Sequence, residues 1–86
     1  MATITLNDGT VIENNNLSVI TDVLFVYVRH PKLSMEELFL LFCDESKTVK
    51  ITAEDDEKTE VYNGYTDLYF MNKDERQICF GLKKAN

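Results

Sequence analysis

The sequence predicts an α+β fold: a curled, largely antiparallel sheet of five to six strands with one α-helix, over about 35–43, between the third and fourth strands. Three observations carry this expectation. Short stretches alternate apolar and polar residues on both sides of Asn7-Asp8-Gly9, a hairpin signature. One segment, Ser34 to Cys43, carries helix-start signals and a long apolar run. The length of 86 residues makes one domain, 1–86, with little margin of stability.

Thr3-Ile4-Thr5-Leu6 and Thr10-Val11-Ile12-Glu13 flank the Asp8-Gly9 turn. A two-residue loop would set Ile12 opposite Thr5, away from the face of Ile4 and Leu6. A three-residue loop with a left-handed Gly9 sets Ile12 opposite Ile4, so the apolar residues share one face; this register is the expected one. Asn14-Asn15-Asn16 then interrupts the pattern, because asparagine favours turns and caps over a ladder. Val19 to Val28 reads as a central strand, its second half an unbroken β-branched and aromatic run, and Pro31 ends it.

The helix begins at a capping box, Ser34-x-x-Glu37, with Leu33 and Leu38 at hydrophobic-staple spacing and Glu36 and Glu37 at the positive end of the dipole. Asp44 and Glu45 oppose the dipole at a C-terminus, so the end is expected near Cys43 or Asp44. Thr48 to Ala53 alternates again, Glu54-Asp55-Asp56-Glu57 makes an acidic turn, and Thr59 to Tyr62 resumes the strand pattern. Tyr65 to Met71 is a further strand, or the same one continued across a bulge at Gly64. Arg76 to Leu82 places Ile78, Phe80 and Leu82 on one face, which Leu68 and Phe70 join if an odd number of residues separates the two strands.

Fifteen acids against nine Lys and Arg give a net charge of −6, which argues against direct nucleic-acid binding through phosphate neutralisation. No apolar run approaches the ~20 residues of a membrane helix, and Met1 to Thr5 lacks the pattern of a signal peptide. Cys43 and Cys79 read as free, buried thiols of a reducing cytoplasm. The single histidine, His30, has no nucleophile or orienting carboxylate at a telling spacing and reads as an exposed loop residue. Glu54 to Glu57 lacks the alternating ligands and glycine of a calcium loop. No phosphate-binding glycine loop or nucleophile elbow occurs. The chain is therefore expected to have no catalytic set, no metal site and no cofactor.

The helix itself is the anomaly. Leu38-Phe39-Leu40-Leu41-Phe42-Cys43 is apolar around its circumference, whereas a helix lying on a sheet needs one apolar stripe. Met35, Leu38, Phe39 and Phe42 fill that stripe, which leaves Leu40 and Leu41 sideways or outward. Leu40, Leu41 and the flanking Phe39 are the candidate interface, for a second copy of this chain or another protein. Tyr27, Tyr62, Tyr65 and Tyr69 add interface-prone residues. The acidic patch Glu54, Asp55, Asp56 and Glu57 is the second candidate surface, one that meets a basic partner.

Several segments in order carry a resemblance: Ile4-Thr5-Leu6-Asn7-Asp8-Gly9-Thr10-Val11-Ile12-Glu13-Asn14, the strand Leu24 to Val28, the helix Met35 to Phe42, Thr48 to Thr52, Val61 to Leu68 and Gly81-Leu82-Lys83-Lys84. The chain resembles short uncharacterised proteins encoded in prophage structural-gene cassettes of gut Gram-positive bacteria. The resemblance covers nearly the whole chain, and its motifs are structural rather than catalytic. It implies a non-enzymatic phage structural or assembly protein, oligomeric or part of a larger assembly. Such a protein would reside in the cytoplasm of the bacterial host and later in the virion. The alternative is an acidic phage inhibitor of a host defence protein, acting as a nucleic-acid mimic through Glu54 to Glu57 with Asp44 and Glu45.

Overall fold

The structure, a computed structural model, describes residues 2–84. Seven strands form one sheet: β1 (Ala2–Thr5), β2 (Val11–Ile20), β3 (Val23–Arg29), β4 (Lys50–Glu54), β5 (Thr59–Asn63), β6 (Asp67–Lys73) and β7 (Gln77–Lys83). Two helices, α1 (Met35–Phe42) and α2 (Glu45–Thr48), join β3 to β4. The strand order is β5-β4-β1-β2-β3-β7-β6, every neighbour antiparallel.

That order dictates the curl. β5 and β6 are the two edges, yet only residues 64–66 join them. A flat seven-stranded sheet would hold its edges six steps of about 4.8 Å apart, roughly 29 Å. Crossing from Asn63 to Asp67 spans at most about 14 Å of extended chain. The sheet therefore wraps into an open barrel, and the molecule measures 33 × 29 × 26 Å. Gly64 turns this crossing at φ +82, its N–H donating to the Val49 carbonyl, and Tyr65 is buried beneath it. This corrects the expected strand number. Seven strands replace five to six because Gly64 carries the chain from one edge to the other instead of bulging a single strand.

The first hairpin has the three-residue loop: Ile4 pairs with Ile12, and Gly9 stands at φ +93. Beyond it the asparagines stay on the ladder, against expectation. Asn14 takes φ +61 and the register slips between Ala2 and Thr3, so Asn14 is a bulge. At this corner β2 changes partner, from β1 over Val11–Asn15 to β3 over Asn15–Ile20. Asn15 is only 6% exposed; its amide donates to the Ile12 carbonyl, while its Oδ1 is buried without a partner among the described residues. The Val19 to Val28 run is also not one strand. Thr21 and Asp22 form a tight turn, Thr21 at φ +57, and split the run between β2 and β3.

The expected single helix over about 35–43 is two helices. Ser34 caps α1 as a capping box: its Oγ accepts from the Glu37 N–H at 3.1 Å. Cys43 ends α1, its N–H donating to the Phe39 carbonyl. Asp44 then caps α2, accepting from the Ser46 N–H at 3.0 Å, and Glu45 lies in that first turn. The acids that would oppose a C-terminal dipole instead favour a new N-terminus. α2 also fastens the first hairpin, since the Asn7 N–H donates to the Lys47 carbonyl and the Asn7 amide to that of Ser46.

The core lies between the concave sheet face and α1. Leu24, Val26 and Val28 of β3 and Ile78, Phe80 and Leu82 of β7 meet Leu38 and Phe42 there. Phe42 stacks on Phe80 with ring centroids 4.2 Å apart. On β6 a bulge at Tyr69 shifts the register between Leu68 and Phe70. Met71, opposite Phe80, and Leu68, opposite Leu82, thus pack on the core. Phe70 lies instead opposite Gly81, on the convex face, with its ring 5.7 Å from that of Phe25.

Candidate functional site

Helical periodicity turns α1 so that Leu38 and Phe42 face the sheet and are fully buried. Leu41 packs half-buried against the same core, on one flank. Of the two orientations expected, sideways or outward, Leu41 takes the sideways one, at the core margin. Phe39, expected in the core stripe, lies on the opposite flank and is 45% exposed; Leu40 is 64% exposed. With Met35 and with Met71 from edge strand β6, they line an open apolar groove whose one charged side chain is Glu36. The interface candidates therefore divide: Leu40 and Phe39 share an outward surface, and Leu41 does not.

The acidic candidates Glu54, Asp55, Asp56 and Glu57 are all exposed around the β4–β5 turn. Asp55 builds that turn. Its Oδ1 accepts from the N–H groups of Glu57 (2.8 Å) and Lys58 (2.9 Å), which hold its carboxyl below the usual range. Lys58 sits within the patch and pairs with Glu60 at 2.9 Å; this bond and charge raise the Lys58 ammonium. Glu60 also accepts from the Tyr62 hydroxyl, which with Lys58 lowers its carboxyl, while burial first and Glu60 second push Tyr62 up to about 12. Asp44 and Glu45 do not join this patch. They precede β4 and the tip follows it, so about 13 Å of strand intervenes. Asp44 is occupied by Ser46, which lowers its carboxyl, and lies 3.8 Å from Lys47.

His30 is exposed, at φ +48, with its N–H donating to the Arg76 carbonyl. Cys43 is free and exposed, not buried; roughly 12 Å of α1 lies between it and the His30 loop. Cys79 is free and half-buried, between Ile78 and Phe80 and so on the opposite sheet face from α1. Among the described residues no three His, Cys, Asp or Glu side chains converge to hold a metal ion. Nor is any described helix long and apolar enough to cross a membrane. Of the tyrosines, Tyr65 is buried, Tyr27 and Tyr62 are half-buried, and Tyr69 is exposed beneath the Lys83 ammonium, 3.7 Å from its ring centre.

Sequence reasoning passed over two features. Met71 completes the α1 groove, which required knowing that β6 is the edge beside α1. An apolar cleft between β2 and the loop before α1 holds about 400 Å³; only the left-handed His30 marks it, and no sequence signal announces a histidine at positive φ. No family model, curated protein or solved structure matches this chain.

Proposed function

We propose that this chain is a non-enzymatic protein-interaction domain that assembles with copies of itself through the α1 surface. The carrying observation is the pair Phe39 and Leu40, exposed side by side and continued by Met35 and Met71. Covering a large apolar side chain is worth about 1.5–3 kcal/mol when it becomes fully buried. A two-fold axis through the groove would set each copy's Leu40 against the partner's groove, so that one patch serves both sides. Apolar centres with a charged margin, here Glu36, suit such contacts.

The resemblance to prophage structural-gene proteins supports a phage structural or assembly setting, in the host cytoplasm and then in the particle. The acidic tip supports the inhibitor reading less, because Lys58 lies within it and Asp55 is committed to its turn.

The test is solution mass over a concentration series. The wild type should exceed the single-chain 9.9 kDa. Phe39→Ser with Leu40→Glu should return it to that mass with an unchanged far-UV spectrum. A wild type that stays at one chain up to roughly 100 μM, where a modest dimer constant of ~10 μM would already make about four-fifths of the chain dimeric, overturns the proposal.

A further inference from the structure

A second surface shares no residue with the α1 groove and carries a different chemistry. Both arginines of the chain, Arg29 and Arg76, meet its only histidine on the walls of one cavity of about 370 Å³. The sheet sets them there: Arg29 pairs with Gln77 across β3 and β7, and the next residue, His30, donates its N–H to the Arg76 carbonyl at 2.8 Å. The one carboxylate on these walls is Asp74. It braces the turn before β7, its Oδ1 accepting from the N–H groups of Arg76 (2.9 Å) and Gln77 (3.0 Å). Neither guanidinium forms a salt bridge among the described residues, in a chain where acids outnumber Lys and Arg fifteen to nine. Two fixed positive charges therefore meet one negative charge at this cavity, and each guanidinium keeps its fork of donors for an oxyanion.

Arg29 and His30 also line an adjoining cavity of about 450 Å³, together with Ala2, Asn14, Asn15 and Asn16. No carboxylate and no Phe or Tyr lines it. Its asparagine amides donate and accept side by side, which suits hydroxyl groups. Asn15 is 6% exposed and its Oδ1 has no donor among the described residues, so a hydroxyl at the inner wall would supply one. Of the three described non-glycine residues at positive φ, two, Asn14 and His30, stand at this corner. Backbone held in that region clusters at ligand sites.

We propose that this corner binds a sugar phosphate. The phosphate sits on Arg29, Arg76 and His30, and the sugar hydroxyls face Asn14, Asn15 and Asn16. Each cavity falls in the ~300–1,000 Å³ range of small-molecule sites, so a bare phosphate leaves the amide wall unused. With no Phe or Tyr for a base to stack on, that wall favours a sugar over a nucleotide.

The test is a titration of the full ¹⁵N-labelled chain with glucose-6-phosphate, followed by amide chemical shifts, with ionic strength held constant by sodium chloride. Inorganic phosphate, glucose and adenosine monophosphate are the controls. Glucose-6-phosphate should shift the amides of Arg29, His30 and Arg76 and those of Asn14 to Asn16 along one saturable curve. Inorganic phosphate should move only the first group and bind about tenfold more weakly. Glucose should move neither, and adenosine monophosphate should bind more weakly than the sugar phosphate. Arg29→Gln with Arg76→Gln should abolish saturable binding and leave the amides of β1 and β4 in place. Asn14→Gly, which keeps the positive φ, should weaken glucose-6-phosphate several-fold and leave inorganic phosphate unchanged, a readout that loss of fold would not produce. The proposal is overturned if glucose-6-phosphate gives no saturable shift, if inorganic phosphate or adenosine monophosphate binds as tightly, or if Asn14→Gly leaves its binding unchanged.

Discussion

Gly81 and Phe70 should show strong energetic coupling, the effect of Gly81→Ala changing sign when the Phe70 ring is removed. A Cβ placed on Gly81 would stand 2.2 Å from Phe70 Cε1 and 2.4 Å from Cδ1. Contacts that short force the ring off the strand, and overpacking of this kind costs about 1–3 kcal/mol. Taken alone, alanine is the better strand residue, by roughly 0.5–1 kcal/mol over glycine. Gly81→Ala should therefore destabilise the wild type by a net ~0.5–2 kcal/mol, yet stabilise a Phe70→Ala background by ~0.5–1 kcal/mol. The coupling from the two backgrounds is then about 1–3 kcal/mol. Urea unfolding of the wild type, both single variants and the double variant closes the cycle, with constant m-values checking that only the midpoint moves. Additivity within ~0.5 kcal/mol would refute the placement of the Phe70 ring on Gly81, and with it the bulge at Tyr69.

Ser34→Ala should lower stability by roughly 0.5–2 kcal/mol through loss of the α1 cap; a thermal melt unchanged within ~0.3 kcal/mol would contradict it. Leu41→Ala should destabilise the folded chain by more than 1 kcal/mol, roughly half or less of the ~2–5 kcal/mol of a full core truncation, and Leu40→Ala by less than 0.5 kcal/mol at concentrations below self-association; equal effects would place both leucines in the same environment. The carboxyls of Asp8, Asp44, Asp55 and Asp74 are lowered from 3.8, chiefly by hydrogen bonds from Thr10, Ser46, Glu57 and Arg76 respectively. Groups with depressed folded-state values contribute stability that is complete above the unfolded value and lost as pH falls through the folded one. Melting temperature should thus be flat between about pH 5 and pH 9 and fall below about pH 4; a melting temperature rising on acidification through that acid window would contradict these turns.

What could be read from the sequence was written in local backbone chemistry. Gly9 supplies a positive φ without strain, so the first hairpin and its register were legible. Ser34 and Glu37 satisfy each other's N–H groups, so the helix start was legible too. The turn at Thr21 was not, because a β-branched residue at φ +57 leaves no trace in composition. The asparagine run looked like a turn, but only Asn14 leaves the strand conformation, and β2 continues because β1 and β3 each pair with one half of it. On α1, Phe39 and Leu41 lie about 80° to either side of the direction set by Leu38 and Phe42. Helix periodicity cannot choose between them. The orientation of α1 on the sheet does, tucking Leu41 in and leaving Phe39 beside Met71. The half of the candidate surface that was legible, Leu40, is the residue opposite the buried stripe, where periodicity alone decides.

The direct test of self-assembly through α1 is a dilution series of methyl NMR spectra. The ε-methyls of Met35 and Met71 and the δ-methyls of Leu40 should shift together along one saturable curve, while those of Leu24 and Leu82, fully buried in the core, stay fixed. Methyl positions at the α1 groove that do not change across the series, or a curve centred on Ile20 and Val19 of β2 instead, would contradict the account.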